Sequence, residues 1–325
     1  MLIVQKFGGS SLAGGDRLRH VAELCLARRQ SERELVVVVS AMGDTTERLS
    51  DRARELSGRP SPRELDALMT TGEQQAAALL VMAMEELGLP AVSLTGWQAG
   101  ILTDRSYGAG EIRLVAPGRI REELSRGRVP VVTGFQGICA QGDVTSLGRG
   151  GSDTTAVALA AALEAESCEI YTDVDGVYSA DPRLIPEAKK LGRIDGRDML
   201  ALARAGAKVL HPRAVELALA NELPLRLLSS FAEGGGSEIC RLGEAARPRF
   251  AGVTGGAGGG RLTLAGKGAD AAALSEAVLL LGREGFEVRV GELGENALTL
   301  CLAPEKLPEA LRLIHREMVL PQLAP

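Results

Sequence analysis

The sequence predicts an α/β protein: a three-layer αβα sandwich around a mostly parallel sheet, with a small α+β module after it. Three observations predict this. Apolar, β-rich runs alternate with segments of helical spacing through roughly the first 230 residues, and β-α-β order places successive strands parallel, with helices on both faces. Most of the runs are apolar throughout rather than alternating, as in strands buried on both faces. After Phe231 the composition turns glycine-rich, and a shorter pattern of strands and helices follows.

In chain order, residues 2–4, 35–39, 91–94, 129–133, 169–172 and 225–228 read as strands, and 16–29, 71–87, 117–125, 153–163, 198–203 and 207–220 as helices. Ligands of such sheets bind at the carboxyl ends of the strands. The stretch Glu233-Gly234-Gly235-Gly236-Ser237, then Arg247-Pro248-Arg249, then the glycine run at 255–260 reads as a flexible connection holding at most one strand. Beyond it come a strand (261–265), a helix (271–284), strands at 286–290 and 297–302, and a helix (304–318), which is most of a β-α-β-β-α-β unit. The expected domains are therefore 1–245, a linker at 246–260, and 261–325. A module of about sixty residues has a marginal core, so this one is expected to dock on the larger domain or on a second copy.

Composition narrows the function. A net charge of −5 and 3% aromatic residues supply neither the basic surface that nucleic-acid backbones require nor a stacking platform for bases. The five cysteines are odd in number and contain no C-x-x-C, which predicts reduced thiols and a cytoplasmic protein. No secretory signal and no membrane-spanning apolar run is expected. The three histidines, His20, His211 and His315, are too scattered for a metal cluster and read as structural.

Three stretches fit one phosphate-handling site: Lys6-Phe7-Gly8-Gly9-Ser10-Ser11, Gly148-Arg149-Gly150-Gly151-Ser152-Asp153, and Thr172-Asp173-Val174-Asp175-Gly176-Val177-Tyr178 running on to Asp181-Pro182-Arg183. The first glycines are expected at a strand-to-helix turn, where backbone N–H groups receive an anion. Phosphoryl transfer needs cations at the transferred group. Lys6, ending the first strand, and Lys208, opening the helix expected at 207–220, are the candidates. Arg149, set among glycines, suits a bidentate grip on a carboxylate. Asp153 is either a helix cap or part of the site, and Glu73 either an ordinary first-turn acid or an acceptor for an ammonium group. Ser40 and Thr46 are hydrogen-bond donors on the loop after the second strand. There is no G-x-x-x-x-G-K-[ST], no H-R-D with D-F-G, and no G-x-S-x-G, so P-loop, protein-kinase and serine-hydrolase readings are disfavoured.

Taken with Ser40-Ala41-Met42-Gly43-Asp44-Thr45-Thr46, Thr71-Gly72-Glu73, Gly134-Phe135-Gln136-Gly137 and Gly206-Ala207-Lys208-Val209-Leu210, these motifs resemble the aspartate kinases of the amino-acid kinase family over roughly residues 1–245. The resemblance implies transfer of the ATP γ-phosphoryl group to the side-chain carboxylate of L-aspartate, with Mg2+ carried by the polyphosphate and protein ligands to the metal unassigned. By motif, Lys6 would stabilise the transferring group while Gly8, Gly9 and Ser10 approach the phosphates. Ser40, Thr46, Glu73, Arg149, Gly150, Ser152 and Asp153 would line the aspartate pocket. Thr172, Asp173, Tyr178, Asp181, Arg183, Lys208 and Val209 would hold the nucleotide, and Lys6, Asp153 and Lys208 form the implied catalytic set. A homodimer or higher homo-oligomer is implied as well. The C-terminus departs from the family pattern, because the chain has room for one ACT-like module where two are usual. That unit resembles the later of the pair, joined to a remnant strand near Phe250-Ala251-Gly252-Val253, and its loop Gly266-Lys267-Gly268-Ala269-Asp270 lacks the Pro-Gly turn of effector-binding examples. Two rival readings are a relative phosphorylating N-acetylglutamate, glutamate or UMP, and a non-catalytic amino-acid sensor.

Overall fold

A computed structural model describes residues 1–31, 34–232, 234–256 and 259–323. Glu233, Ala257 and Gly258 of the expected linker lie outside the described residues. The chain forms two compact units, Met1–Asp175 with Leu223–Gly234, and Gly176–Glu222 with Gly235–Pro325. These units cut the chain at other places than the composition change at 245–260.

In the first unit, β1 (Leu2–Phe7), β2 (Glu34–Val39), β3 (Ala91–Leu94), β6 (Val129–Thr133), β9 (Ser167–Thr172) and β13 (Leu225–Ser229) lie in the order β13-β9-β1-β2-β6-β3, strands and helices being numbered along the whole chain. Every pairing among them is parallel. The register sets Lys6 beside Val38 of β2 and Ile170 of β9. Two helices pack on one face. In α1 (Gly15–Gln30) Leu18, Val21, Ala22 and Cys25 recur at helical spacing, and in α4 (Thr71–Glu86) Ala76, Ala77, Leu80 and Met84 do the same. They close a core with Phe7, Leu35, Val37, Val39 and Val131. Emptying one of these positions, as in Leu80→Ala, costs about 2–5 kcal/mol. Strand side chains alternate between faces, so Lys6 points away from this core, toward α6 (Gly151–Ala162). The small residues of α6, Ala156, Ala158 and Ala160 among them, bury completely or nearly so and let the helix lie close to the strands.

Three features of this unit escaped the sequence pattern. The helices α2 (Thr45–Leu56) and α3 (Pro62–Met69) are polar, and α2 buries only Thr45. The start of α3 did carry a signal: Ser61 accepts from Glu64 N, with Pro62 in the first turn. A second sheet of β4 (Ile101–Thr103), β5 (Ile112–Val115), β7 (Gln136–Cys139) and β8 (Val144–Ser146) has strands of three or four residues, too short for a period to show. The helix α5 (Gly118–Ser125) agrees with expectation.

The second unit contains the antiparallel pair β10 (Val177–Tyr178) and β11 (Lys190–Leu191), and the parallel pair β12 (Arg193–Asp195) and β14 (Ser237–Cys240). It also holds α7 (Gly196–Arg204) and α8 (Pro212–Ala220). The expected start of α8 at 207 is wrong. The residue before a proline avoids the helical region; His211 is extended and accepts from Arg213 N, and Pro212 opens the helix. Lys208 therefore stands on the preceding turn rather than inside a helix.

The C-terminal part of this unit is a four-stranded antiparallel sheet, β15 (Gly252–Gly255), β16 (Arg261–Ala265), β18 (Ala297–Cys301) and β17 (Arg289–Leu293) in that order, with α9 (Ala271–Arg283) and α10 (Leu307–Ile314). β17 begins three residues later than expected, at Arg289. The edge strand beside β16 is β15, drawn from the segment read as linker. That segment is anchored as well: the guanidinium of Arg247, 4% exposed, pairs with Asp198 of α7 and donates to Asn296 Oδ1 at 2.7 Å.

Candidate active site

At the carboxyl end of β1 the Lys6 ammonium meets Asp153 Oδ1 at 2.7 Å, and both side chains are largely shielded from water. The N-cap of α6 is Gly150, with no side-chain cap. Asp153 is thus the partner of Lys6 rather than a helix cap. Gly8 N donates to Tyr171 O at 3.2 Å, which ties the turn after β1 to β9. Gly9 O accepts from Gly43 N at 2.9 Å, and a Cβ at Gly9 would stand 2.7 Å from the carbonyl oxygen of Ala41. Only a bare backbone fits there. The turn at Gly8-Gly9 leads into a 3-10 turn, Gly9–Leu12, and α1 begins only at Gly15. The expected helix at 16–29 is therefore α1, set off from Gly8-Gly9 by the 3-10 turn, and the helix whose first turn reaches Lys6 is α6.

Glu73, in the first turn of α4, is 3% exposed. Its Oε1 accepts from Ala41 N at 3.1 Å, while Oε2 is buried and accepts nothing among the described residues. Burial pushes its carboxyl up to about 7. A second hydrogen-bond donor or a cation is what this oxygen lacks. Ser40 directly follows β2, its N donating to Phe7 O, which places it beside the same turn. Thr46 is half-buried in the first turn of α2, while its neighbour Thr45 is buried and donates to Met42 O.

Arg149 is exposed and lies between Gly148 and Gly150, both left-handed at φ 71° and 68°. It makes no ion pair among the described residues, so its guanidinium faces solvent. Ser152 is half-buried in the first turn of α6, next to Asp153. Ser10 is exposed. At the end of β9, Thr172 Oγ1 donates to Asp173 Oδ1 at 3.0 Å. The first unit therefore brings together Lys6, Gly8, Gly9, Ser40, Glu73 and Asp153 around the ends of β1 and β2.

The remaining candidates belong to the second unit. Tyr178 ends β10, and the loop after it carries Asp181 and Arg183, whose guanidinium forms a two-pronged bond to the carboxylate at 2.9 and 2.7 Å. That bond holds Asp181 below the usual carboxylate range. Lys208 is exposed on its turn, with Val209 half-buried beside it.

Sequence reading missed the polar cluster behind β1. Glu169 of β9 is fully buried, accepts from Gln5 Nε2 at 2.9 Å and from Arg226 Nη1 at 3.2 Å, and is paired with Arg28. Beside it Phe7 and Tyr171 stack with centroids 4.6 Å apart. The signal was present: a glutamate inside an apolar strand must find partners when buried.

Among known proteins, the amino acid kinase family model matches residues 1–229. An aspartokinase of Geobacillus stearothermophilus is 51% identical over 238 residues, 73% of this chain and 58% of that protein. An aspartate kinase of Pseudomonas putida is 52% identical over the same shares. The chain thus spans less than three-fifths of the length of these curated relatives. Of solved structures, the Synechocystis aspartate kinase superposes with a TM-score of 0.68 at 38% identity, over 97% of this chain and 55% of that one. E. coli aspartokinase III in complex with aspartate and ADP superposes with a TM-score of 0.84 over 98% of this chain and 100% of that one, and at 21% identity it speaks for the fold alone. With a parallel sheet carrying its glycine turns at the carboxyl edge and a family match over some seven-tenths of its length, the chain belongs to the amino acid kinase family.

Proposed function

We propose that this protein is an aspartate kinase, transferring the γ-phosphoryl group of MgATP to the side-chain carboxylate of L-aspartate to give 4-phospho-L-aspartate. This is the entry step to lysine, threonine, methionine and diaminopimelate synthesis. The observation that carries the reading is the Lys6–Asp153 pair at the carboxyl end of β1. It is a cation at the edge where α/β sheets bind ligands, oriented by a carboxylate and shielded from water. The identity of 51–52% to aspartokinases supports the choice of acceptor. So does Glu73, whose unpaired buried oxygen suits a substrate ammonium group. N-acetylglutamate and UMP bring no such cation, and would leave that oxygen unsatisfied.

In this reading a carboxylate oxygen of aspartate attacks the γ-phosphorus, the bond from that phosphorus to the bridging oxygen breaks, and ADP leaves. The acceptor is already ionised at neutral pH, so no general base is required. Lys6 neutralises charge on the transferred group, and Asp153 holds it in place. Arg149, facing solvent on a glycine-flanked loop, grips a carboxylate of aspartate, with Ser40, Thr46, Gly150 and Ser152 lining the pocket. Gly8, Gly9 and Ser10 approach the phosphates. Thr172, Asp173, Tyr178, Asp181, Arg183, Lys208 and Val209 contact the nucleotide, Lys208 sharing the charge neutralisation with Lys6.

Among the described residues no three His, Cys, Asp or Glu side chains stand together as a metal site. Magnesium is assigned to the substrate because the polyphosphate carries it, held by ATP phosphate oxygens. Among the described residues no helix is long and apolar enough to cross a membrane. The described cysteines are unpaired thiols, three of them buried, in keeping with action in the cytoplasm. Residues 1–245 are the proposed catalytic segment and 261–325 a single ACT-like module, in a homodimer or higher homo-oligomer. The test is ATP- and magnesium-dependent acyl-phosphate formation from L-aspartate, trapped as the hydroxamate. Turnover with glutamate or N-acetylglutamate and none with aspartate would overturn the assignment.

A further inference from the structure

The loop from Ser179 to Lys189, which carries Asp181 and Arg183, is fastened from its inner side to the C-terminal sheet and helices of the same unit. Ser179 is fully buried immediately after Tyr178. Its backbone oxygen accepts from Val253 N of β15 at 2.8 Å, and its hydroxyl accepts from Lys189 N at 2.9 Å. The same hydroxyl lies 2.8 Å from Nε2 of His315, which is 1% exposed at the start of a π-helical stretch, His315–Val319, that continues α10. π-turns inserted in helices recur at functional positions. Two further ties run alongside, from Arg312 Nε to Leu184 O and from Lys189 Nζ to Leu323 O, both at 3.1 Å. Ala180 and Ile185 of the loop pack in one core with Val253, Ile314, Met318 and Val319.

We propose that His315 is a positioning residue for the nucleotide: through Ser179 it sets the conformation in which Tyr178, Asp181 and Arg183 meet ATP, so the C-terminal module governs ATP affinity. This rests on the reading of those three residues as nucleotide contacts. Asp181 and Arg183 are locked to each other by their two-pronged bond, so they move as one piece with the loop. That piece has its inner fixed point at Ser179. Burial holds His315 below the usual histidine range, so the ring is neutral at pH 7, and either tautomer completes the contact to a hydroxyl that both donates and accepts.

The test is steady-state kinetics of the full chain. His315→Leu is expected to raise the ATP KM by about fivefold to tenfold, the worth of one buried hydrogen bond, and Ser179→Ala, which also leaves Lys189 N without its acceptor, by at least as much, while the aspartate KM stays within about twofold. His315→Gln, whose amide reaches toward the position of Nε2, is expected to recover most of the loss. The double variant should be no worse than the poorer single one, as for two halves of one contact. Arg183→Ala is the control for the underlying reading. If it leaves the ATP KM unmoved, the nucleotide assignment fails and takes this proposal with it. If it raises the ATP KM while His315→Leu and Ser179→Ala do not, the positioning role alone is overturned. Equal loss for both substrates, or a lowered Tm with unchanged KM values, would assign His315 to stability and overturn the proposal as well.

Discussion

Glu73 makes the proposed acceptor site sensitive to pH. Its carboxyl is pushed up to about 7 because burial penalises the charged form more than the backbone N–H groups of Glu73 itself and of Ala41 offset it. If the ionised form binds the aspartate ammonium, the apparent affinity scales with the ionised fraction. That fraction rises from roughly one-tenth at a pH of about 6 to nine-tenths at about 8, so the aspartate KM should fall by about tenfold across the interval. Free L-aspartate keeps its charges over that range. The assay is the hydroxamate reaction at saturating MgATP in wild type and Glu73→Gln. The variant should show a high aspartate KM that no longer responds to pH. A flat wild-type profile, or the same slope in Glu73→Gln, refutes the argument. Stability in the free protein should move the other way. A carboxyl raised from 4.5 stabilises the fold fully below that value, and the contribution is lost as pH climbs through about 7, an effect of about 3 kcal/mol.

Lys6→Ala should lower kcat by about 10²–10³-fold with a smaller change in the aspartate KM, and an unchanged kcat would remove Lys6 from the transition state. Arg149→Ala should raise the aspartate KM and leave the fold intact, since its guanidinium faces solvent; an unaltered KM refutes its grip on the substrate. In Gly9→Ala the new methyl meets the Ala41 carbonyl oxygen at 2.7 Å, which should cost about 1–3 kcal/mol, seen as a lower Tm. A chain ending at residue 260 should aggregate or lose its cooperative melt rather than persist as a soluble monomer, because Ala180, Ile185, Phe250 and Val253 would lose their covering residues. A well-folded truncated monomer would show the module to be separable.

The strands of the parallel sheet were legible because burial on both faces leaves an unbroken apolar run, and α1 and α4 because their apolar residues recur at helical spacing. Polar α2, the short strands of the second sheet, and the start of α8 were not: a period needs length and contrast to show. Pro212 was a local signal that went unread. Motif and spacing named the residues around Lys6 from the sequence alone. The tertiary structure decided what they do to one another. Whether Asp153 caps a helix or pairs with a lysine depends on α6 crossing the end of β1. Glu73 is an odd carboxylate only because α4 buries it with one oxygen unpaired. The Ser179–His315 contact joins residues 136 positions apart. Local sequence determines backbone preference and which faces are apolar. Ionisation, desolvation and long-range hydrogen bonds depend on what the folded chain brings within a few ångströms, and no single stretch of sequence carries that.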